Sequence, residues 1–504
     1  MKPPSNESRE SAQAPPPGLP VVVGSSFSGL LLSIELSSQG IEHVLVGGEE
    51  PDDTPRLGES LNECASPELF GRFSEKYPEC FHTKSHIALL NGEYATAVHF
   101  GDPDRCEKIT SRYNTSAGPW PHGSGKIFWA SVTSNNLMHC DRITLDKHVY
   151  REAIAEESCH LVKSLVSTVE TENDKVVRLV LENGTVLDSP RYVLDATGFR
   201  GVIAKAFDVG LQPMSSTQRV VWAHMHTTTG KELPRRWWRQ GTNLLKHLDE
   251  IDGYDGISWL IPLGDYVSIG VSLDLDRYPE EQIDDETVIQ KLVESYERRG
   301  LDVSSLFPDR RRPICELKHA YYQRDRAYGA NWLLAGNTYK AVWFPTSSGL
   351  WMTVAACRLL PHLFERPHEL GAHYEHALSQ LDDFHEFLEG MIHGEPFHSH
   401  KQAMAFWSRW LSGVSMRLGI YLDMPRADRP SIGYRFRFLK AFGLICRKAP
   451  LIQRFTWGNF VTRTAHQPDL GQQSSAFKDY FSRARLSLKN YLSCSARWLN
   501  PFTS

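Results

Sequence analysis

Residues 20–36 read Pro20-Val21-Val22-Val23-Gly24-Ser25-Ser26-Phe27-Ser28-Gly29-Leu30-Leu31-Leu32-Ser33-Ile34-Glu35-Leu36. A short apolar run ends at a glycine, a second glycine follows five residues later, and an apolar helical pattern begins at once. This order predicts a strand, a tight turn and a helix, the opening unit of a dinucleotide-binding domain. Gly24 lets the chain reverse, Gly29 lets the helix pack closely on the strand, and the first helical amides are able to hold a pyrophosphate.

Two features depart from the usual dinucleotide-binding pattern. Ser26 stands where the middle glycine is expected, and the next predicted strand, residues 43–46, is followed by Gly47 instead of an acidic residue. Glu49 or Glu50 is then the candidate for a ribose hydroxyl. A serine- and glycine-rich turn in another kind of α/β domain is the competing interpretation.

Size and composition indicate a globular protein with more than one layered region. The chain has 504 residues, of which 41% are hydrophobic and 23% charged. Its nine cysteines contain no C-x-x-C pair, so neither a disulfide framework nor a metal site is expected. No apolar run is long enough for a transmembrane segment, and residues 1–18 have the composition of a disordered tail. We therefore expect a cytoplasmic protein.

The end of the chain differs in charge from the rest. From Lys401 onward there are 17 Lys and Arg against four Asp and Glu, although the whole chain carries a net charge of −5. A basic helical region of this kind is able to meet an acidic partner or an anionic membrane face, or to lie against the acidic body of its own chain. A nucleic-acid partner is not expected.

Three separated pieces have the strand-then-glycine pattern: residues 20–29, 192–198 and 331–337. Strand patterns fill residues 218–275, and helical patterns dominate from residue 366. The predicted fold is α/β (α+β overall), a Rossmann-like cofactor domain interleaved with a mixed β-sheet substrate domain. The expected boundaries are a tail at 1–18, a cofactor domain at 19–80, 138–210 and 325–365, a substrate domain at 81–137 and 211–324, and a helical region at 366–504.

Five motifs in this order resemble the flavin-dependent halogenase and aromatic monooxygenase superfamily, whose fold is that of p-hydroxybenzoate hydroxylase. They are the turn Gly24–Gly29, Arg56-Leu57-Gly58-Glu59-Ser60, Asp141-Arg142, Asp195-Ala196-Thr197-Gly198, and Gly336-Asn337 followed by Phe344-Pro345 and Ser348-Gly349. Asn337 replaces the aspartate usual in the family. The resemblance covers about residues 19–365 and implies that FAD is the cofactor. The cofactor-binding residues it implies are Gly24, Ser25, Ser26, Phe27, Ser28, Gly29, Arg56, Gly58, Ser60, Arg142, Asp195, Gly198, Gly336, Asn337, Pro345, Ser348 and Gly349.

The resemblance also suggests three catalytic residues. Trp259, in Ile257-Ser258-Trp259-Leu260-Ile261-Pro262, matches part of the halogenase W-x-W-x-I-P motif, although core packing explains it equally well. Lys84 follows Gly58-Glu59-Ser60 at the spacing of the lysine that relays oxidised halogen; an ordinary surface lysine is the alternative. Glu59 is included because it lies within the second motif.

The activity implied is FAD-dependent monooxygenation, in which reduced flavin and O2 form a C4a-hydroperoxide that hydroxylates an aromatic or other electron-rich substrate. Halogenation with Lys84 as the relay is the first alternative. A non-oxidative flavoprotein resembling lycopene cyclase, or a binding protein that has lost turnover, are further alternatives. The substrate is a small molecule, a carrier-tethered group or a protein side chain, and a separate flavin reductase is a plausible partner.

Overall fold

The computed structural model describes residues 15–62, 65–84, 86–91, 94–100, 129–132, 138–228, 241–299, 303–342 and 348–392, with the single positions 394, 406, 409, 410 and 417. The strands are β1 (Val21–Val23), β2 (His43–Gly47), β3 (Phe81–Thr83), β4 (His86–Asn91), β5 (Tyr94–Phe100), β6 (Trp129–Val132), β7 (Met138–Cys140), β8 (Cys159–Lys163), β9 (Val166–Glu172), β10 (Lys175–Leu181), β11 (Val186–Asp188), β12 (Val193–Asp195), β13 (Leu211–Pro213), β14 (Gln218–His226), β15 (Thr242–His247), β16 (Gly256–Leu263), β17 (Tyr266–Asp274), β18 (Cys315–His319), β19 (Tyr322–Arg324), β20 (Trp332–Leu334) and β21 (Lys340–Ala341).

The α-helices are α1 (Phe27–Ser38), α2 (Ala65–Phe73), α3 (Arg142–Ala155), α4 (Val202–Ala206), α5 (Asp249–Asp252), α6 (Asp285–Arg298), α7 (Val303–Leu306), α8 (Ser348–Leu363), α9 (Pro367–Ser379) and α10 (Asp382–Ile392). Short 3-10 turns occupy Pro78–Cys80, Gly198–Arg200 and Gly336–Thr338. Among the described residues, no helix has both the length and the apolar character that crossing a membrane requires.

A five-stranded parallel sheet brings the three predicted pieces side by side. Its strand order is β20-β12-β1-β2-β8, so the strands ending at Val23, Asp195 and Leu334 are immediate neighbours. These three strands are fully buried, and their valines and leucines belong to one apolar cluster with α1, α3 and α8. Because parallel strands end at the same edge, the loops that follow these strands meet there.

A mixed eight-stranded sheet forms the second layer, in the order β18-β14-β17-β16-β15-β4-β5-β6. Its strands come from both sides of the parallel-sheet strand β12, so the two sheets are interleaved in sequence as predicted. One face carries an aromatic cluster that includes Trp222, Trp259, Phe384 and Trp410. The opposite face packs on α6 through Val288, Leu292 and Tyr296, among others.

Helix α3 begins at Arg142, directly after Asp141. Asp141 is its N-cap, because the carboxylate accepts hydrogen bonds from the amides of Ile143 and Thr144. The cap therefore brings Arg142 into the first helical turn, beside the loops at the sheet edge.

Candidate functional site

The two glycines of the first turn occupy positions that no side chain would fit. Gly24 has φ +108°, and a Cβ there would lie 2.9 Å from the carbonyl oxygen of Ala196. A Cβ on Gly29 would lie 1.8 Å from the carbonyl oxygen of Gly24. The turn therefore packs directly against the neighbouring strand end on one side and against its own helix on the other.

The N-terminus of α1 has no side-chain capping hydrogen bond. Ser26 is the N-cap residue, but its hydroxyl donates to the carbonyl of Ala196 at 3.2 Å and makes no capping bond. The first helical turn contains no acidic residue. Since the first amides of a helix carry partial positive charge, this end of α1 is suited to an anion such as a phosphate.

The loops after β1, β12 and β20 line one cleft of about 780 Å³ at the edge of the parallel sheet. This volume is within the usual range of small-molecule sites, about 300–1,000 Å³. The predicted cofactor residues that line it are Gly24, Ser25, Ser26, Phe27, Ser28, Gly58, Arg142, Gly198, Asn337, Ser348 and Gly349. Segments that are more than 300 residues apart in sequence thus share one site.

Other predicted cofactor residues support the cleft from outside its lining. They are Gly29, Arg56, Ser60, Asp195 and Gly336, whereas Pro345 lies outside the described residues. Asp195 accepts hydrogen bonds from the amide and hydroxyl of Thr197, at 2.9 and 2.6 Å, and from the amide of Ile203 at 2.8 Å. Its carboxyl is fully buried, and burial raises its pKa. Asp195 therefore holds the shape of the second turn.

Arg142 reaches the cleft from α3 and is held from several sides. It forms an ion pair with Asp146 at 2.7 Å, donates to the carbonyl of Leu57 at 2.7 Å and lies 4.5 Å from the ring centroid of Phe27. Burial opposes the charge of the guanidinium, but the Asp146 carboxylate outweighs burial and raises the pKa of Arg142. A fixed cation therefore stands between the first turn and the Arg56–Ser60 segment.

The third turn is joined to the second turn by backbone and side-chain contacts. The hydroxyl of Thr338 accepts from the amide of Gly198 at 2.9 Å, and Tyr322 donates its hydroxyl to the carbonyl of Asn337. A Cβ on Gly349 would lie 2.6 Å from the amide oxygen of Asn337, so the start of α8 touches this turn directly. Asn337 therefore presents a neutral amide to the cleft.

The structure shows why Gly47, the last residue of β2, is not an acidic residue. A Cβ on Gly47 would lie 2.3 Å from the Cβ of Ser25, and the Ser25 hydroxyl accepts from the amide of Gly48 at 2.8 Å. Glu49 and Glu50, the predicted substitutes, are not in the cleft lining and form ion pairs with lysine and arginine side chains instead. Ser25 thus occupies the space in which a side chain at position 47 would stand.

Sequence reasoning missed several residues that line the cleft. They include Glu182, Arg200, Lys205, Leu317 and His319. Arg200 and Lys205 follow the Gly198 turn closely, and that proximity was a usable signal. Leu317 and His319 come from β18, the edge strand of the other sheet, and no local pattern indicated that this edge faces the cleft.

The three predicted catalytic residues lie outside the cleft lining and are all buried. Lys84 is 6% exposed and donates to the carbonyl of Leu61 at 2.9 Å, which excludes the surface-lysine interpretation. Trp259 donates its indole N–H to Ser268 at 3.2 Å within the aromatic cluster. Glu59 contacts His224 of β14, with 2.7 Å between the carboxylate oxygen and Nε2.

The architecture is shared with solved flavoenzyme structures. No protein-family model matches the chain, and no curated protein is similar to it in sequence. The flavin-dependent brominase Bmp2 superposes with a TM-score of 0.54 at 16% identity, over 86% of this chain and 96% of that one. A tryptophan 6-halogenase (SttH) from Streptomyces toxytricini gives a TM-score of 0.56 at 15% identity, over 89% and 99%.

A third similar structure comes from a protein that is described as having a different activity. PqsL from Pseudomonas aeruginosa, described as a probable FAD-dependent monooxygenase, gives a TM-score of 0.53 at 14% identity, over 75% of this chain and 97% of that one. The chain therefore has the fold shared by flavin-dependent halogenases and FAD-dependent monooxygenases, which confirms the fold expected from its motifs.

Proposed function

We propose that the chain is an FAD-dependent oxidoreductase of the monooxygenase type. The observation that carries the proposal is the meeting of three separated strand ends on one cleft, with the uncapped N-terminus of α1 at its edge. Carboxyl ends of parallel strands are where dinucleotides bind in sheets of this kind. The shared fold with halogenases and monooxygenases supports the same cofactor.

The residues of the cleft fit the parts of FAD. The amides around Ser26–Ser28 would hold the pyrophosphate, since the turn there presents only backbone and small hydroxyl groups. The backbone at residues 47–48 would face the adenosine side. Gly198, Asn337 and the start of α8 at Ser348 would border the ribityl chain and ring, where a helix N-terminus favours negative charge.

FAD, when bound, would supply the electron transfer and oxygen activation that amino acid side chains lack. The chain would contribute orientation of the ring, a fixed cation at Arg142 and exclusion of water by the eight-stranded sheet. That sheet and its segments, 81–137 and 211–324, would carry the substrate, an aromatic or other electron-rich compound. A separate reductase would deliver electrons, and the basic C-terminal region would meet an acidic partner.

The proposal predicts that the purified protein takes up one FAD per chain. Titration should give a saturable change in flavin fluorescence and visible absorption, and FAD should bind more tightly than FMN because FMN lacks the adenosine half. Reduction of the bound flavin in the absence of oxygen, followed by mixing with O2, would then test oxygen reactivity. A folded protein that takes up neither flavin would contradict the proposal.

Halogenation is the second candidate function, and the burial of Lys84 favours it. Lys84 donates a hydrogen bond to the carbonyl of Leu61. Leu61 directly follows the Arg56–Ser60 segment, and Leu57 and Gly58 of that segment border the cleft. Desolvated lysines are suited to act as nucleophiles. In this candidate, Lys84 would take up the oxidised halogen and deliver it to the substrate.

Replacing Lys84 with methionine separates the two candidates, because methionine keeps the apolar stem and removes the amine. If the protein halogenates, Lys84→Met should lower bromide-dependent product at least 100-fold while FAD affinity changes less than threefold. Lys76→Met is the matched control, since Lys76 is exposed and pairs with Glu152 at 2.8 Å. Unchanged bromination by folded Lys84→Met protein would remove Lys84 from the reaction, and oxygenated product alone would favour hydroxylation.

A further inference from the structure

The Arg56–Ser60 segment joins the cleft to the eight-stranded sheet through two consecutive side chains. Glu59 contacts His224 of β14 at 2.7 Å, and the Ser60 hydroxyl lies 2.7 Å from the hydroxyl of Thr242 on β15. All four side chains are buried. The backbone of Gly58, one residue earlier, lines the cleft. A movement of Glu59 would therefore be transmitted to the cleft wall.

A third residue completes a hydrogen-bonded chain through the imidazole. Nη1 of Arg312 lies 3.5 Å from Nδ1 of His224, on the opposite side of the ring from Glu59. A guanidinium only donates hydrogen bonds, so Nδ1 must accept. The proton of a neutral imidazole then stands on Nε2 and is donated to the Glu59 carboxylate. The order of donation is Arg312 to His224 to Glu59.

The surroundings favour this arrangement of charge. Arg312 is a cation and Glu59 a carboxylate, so the charges at the two ends of the chain offset one another across a neutral ring. The ring of Tyr266 lies 4.6 Å from that of His224 and 5.8 Å from the Arg312 guanidinium carbon. Tyr266 is itself buried, and burial is the main reason that its pKa is raised. The imidazole is thus fixed by packing as well as by hydrogen bonds.

Gly58 shows why the position of Glu59 matters. Its φ is +97°, and a Cβ there would lie 2.6 Å from Nη1 of Arg142, the cation that borders the cleft. Arg142 also donates a hydrogen bond to the carbonyl of Leu57. The wall formed by Leu57 and Gly58 is therefore held by Arg142 on the cleft side and by Glu59 on the side of the sheet.

We infer that Arg312, His224 and Glu59 form a positioning relay that fixes the Leu57–Gly58 wall against the flavin. The inference rests on the proposed function, and it assigns Glu59 a positioning role. The relay couples the geometry of β14, in the substrate-side sheet, to the fit of the cofactor in the cleft. Glutamine at position 224 preserves it, because one amide both accepts from Arg312 and donates to Glu59.

The test compares His224→Leu, His224→Gln and His247→Leu by FAD titration and by the visible spectrum of bound flavin. His247 is the matched control: it is fully buried on β15 of the same sheet, but its partners are Ser258 at 2.7 Å and Asp252 at 3.2 Å, which are not part of the Arg56–Ser60 segment. We expect His224→Leu to weaken FAD binding at least tenfold and to shift the flavin spectrum. His224→Gln should stay within threefold of the unaltered protein, and His247→Leu should lower the melting temperature while keeping FAD affinity within twofold.

The outcomes separate this inference from the proposed function. If the unaltered protein binds FAD and His224→Leu binds it equally well with the same spectrum, only the relay is overturned. Equal weakening by His224→Leu and His247→Leu would also overturn it, because the effect would then reflect sheet stability. If the unaltered protein takes up no FAD, the proposed function fails and the inference falls with it.

Discussion

Gly29→Ala is expected to abolish FAD uptake and to destabilise the fold. The new Cβ would lie 1.8 Å from the carbonyl oxygen and 2.9 Å from the carbonyl carbon of Gly24, both of them backbone atoms. No side chain is able to rotate away, so either the turn or α1 must move. Overpacking of a close-packed interior costs about 1–3 kcal/mol, and we expect the upper part of this range. The helix-propensity gain of alanine over glycine, about 1 kcal/mol, is too small to offset it.

The measurement is denaturant unfolding together with FAD titration, with Gly71→Ala as the control. Gly71 is also a helical glycine, in α2, but a Cβ there would meet no atom within 4 Å. Gly71→Ala should therefore be neutral or stabilising by up to about 1 kcal/mol and should leave FAD binding unchanged. FAD affinity equal to that of the unaltered protein in Gly29→Ala would show that the turn does not shape the cofactor site.

The contrast between Gly29 and Glu59 shows what the sequence was able to predict. Gly29 is defined by its spacing from Gly24, which is a local pattern, and the adjacency of the strands at 21–23, 193–195 and 332–334 follows from the rules for parallel sheets. The partner of Glu59 is His224, 165 residues away on another sheet. No local periodicity encodes such a pair. The sequence therefore revealed the motif that contains Glu59, but not the residue that the Glu59 side chain contacts.

Substitutions within the motifs were also beyond sequence reasoning. Gly47 was interpreted as the loss of a ribose-binding acid, but the structure shows that Ser25 fills the space in which a side chain would stand. Gly47, one of the two departures from the usual pattern, is therefore a neighbour of Ser25 in space, and its missing side chain leaves room for that serine. Asp195 was predicted to bind the cofactor, whereas its carboxylate is used inside the turn. In both cases packing decided the role of a residue whose type alone was ambiguous.

Asp252→Asn is expected to lower the free energy of unfolding by about 3–5 kcal/mol near pH 7, the usual effect of breaking a buried ion pair. The side chain of Asp252 is fully buried and accepts hydrogen bonds from Arg298 at 2.7 Å, Arg299 at 3.2 Å and Ser295 at 2.9 Å. Nδ1 of His247 lies 3.2 Å away. Asparagine keeps the shape but removes the charge, leaving the arginines of α6 without their anion.

The pKa of Asp252 determines how the effect of Asp252→Asn on the free energy of unfolding changes with pH. Burial by itself would raise the pKa of Asp252, but His247 and the two arginines outweigh burial, so the pKa lies well below 3.8. A folded-state pKa below the unfolded value stabilises the protein fully above about pH 4, and this contribution is lost as the pH falls further. The gap in unfolding free energy between the unaltered protein and Asp252→Asn should therefore shrink between pH 7 and pH 3.

Denaturant unfolding at both pH values measures this gap, and Asp249→Asn is the control on the same helix. Asp249 pairs with Arg277 near the surface, where both side chains are almost half exposed, so its loss should cost no more than about 1 kcal/mol. FAD affinity should be unchanged in both variants, because neither residue lines the cleft or belongs to the Arg312–His224–Glu59 relay. A gap that stayed constant from pH 7 to pH 3 would mean that the charge of Asp252 does not hold α5 to α6, and that shape and hydrogen bonding alone join these helices.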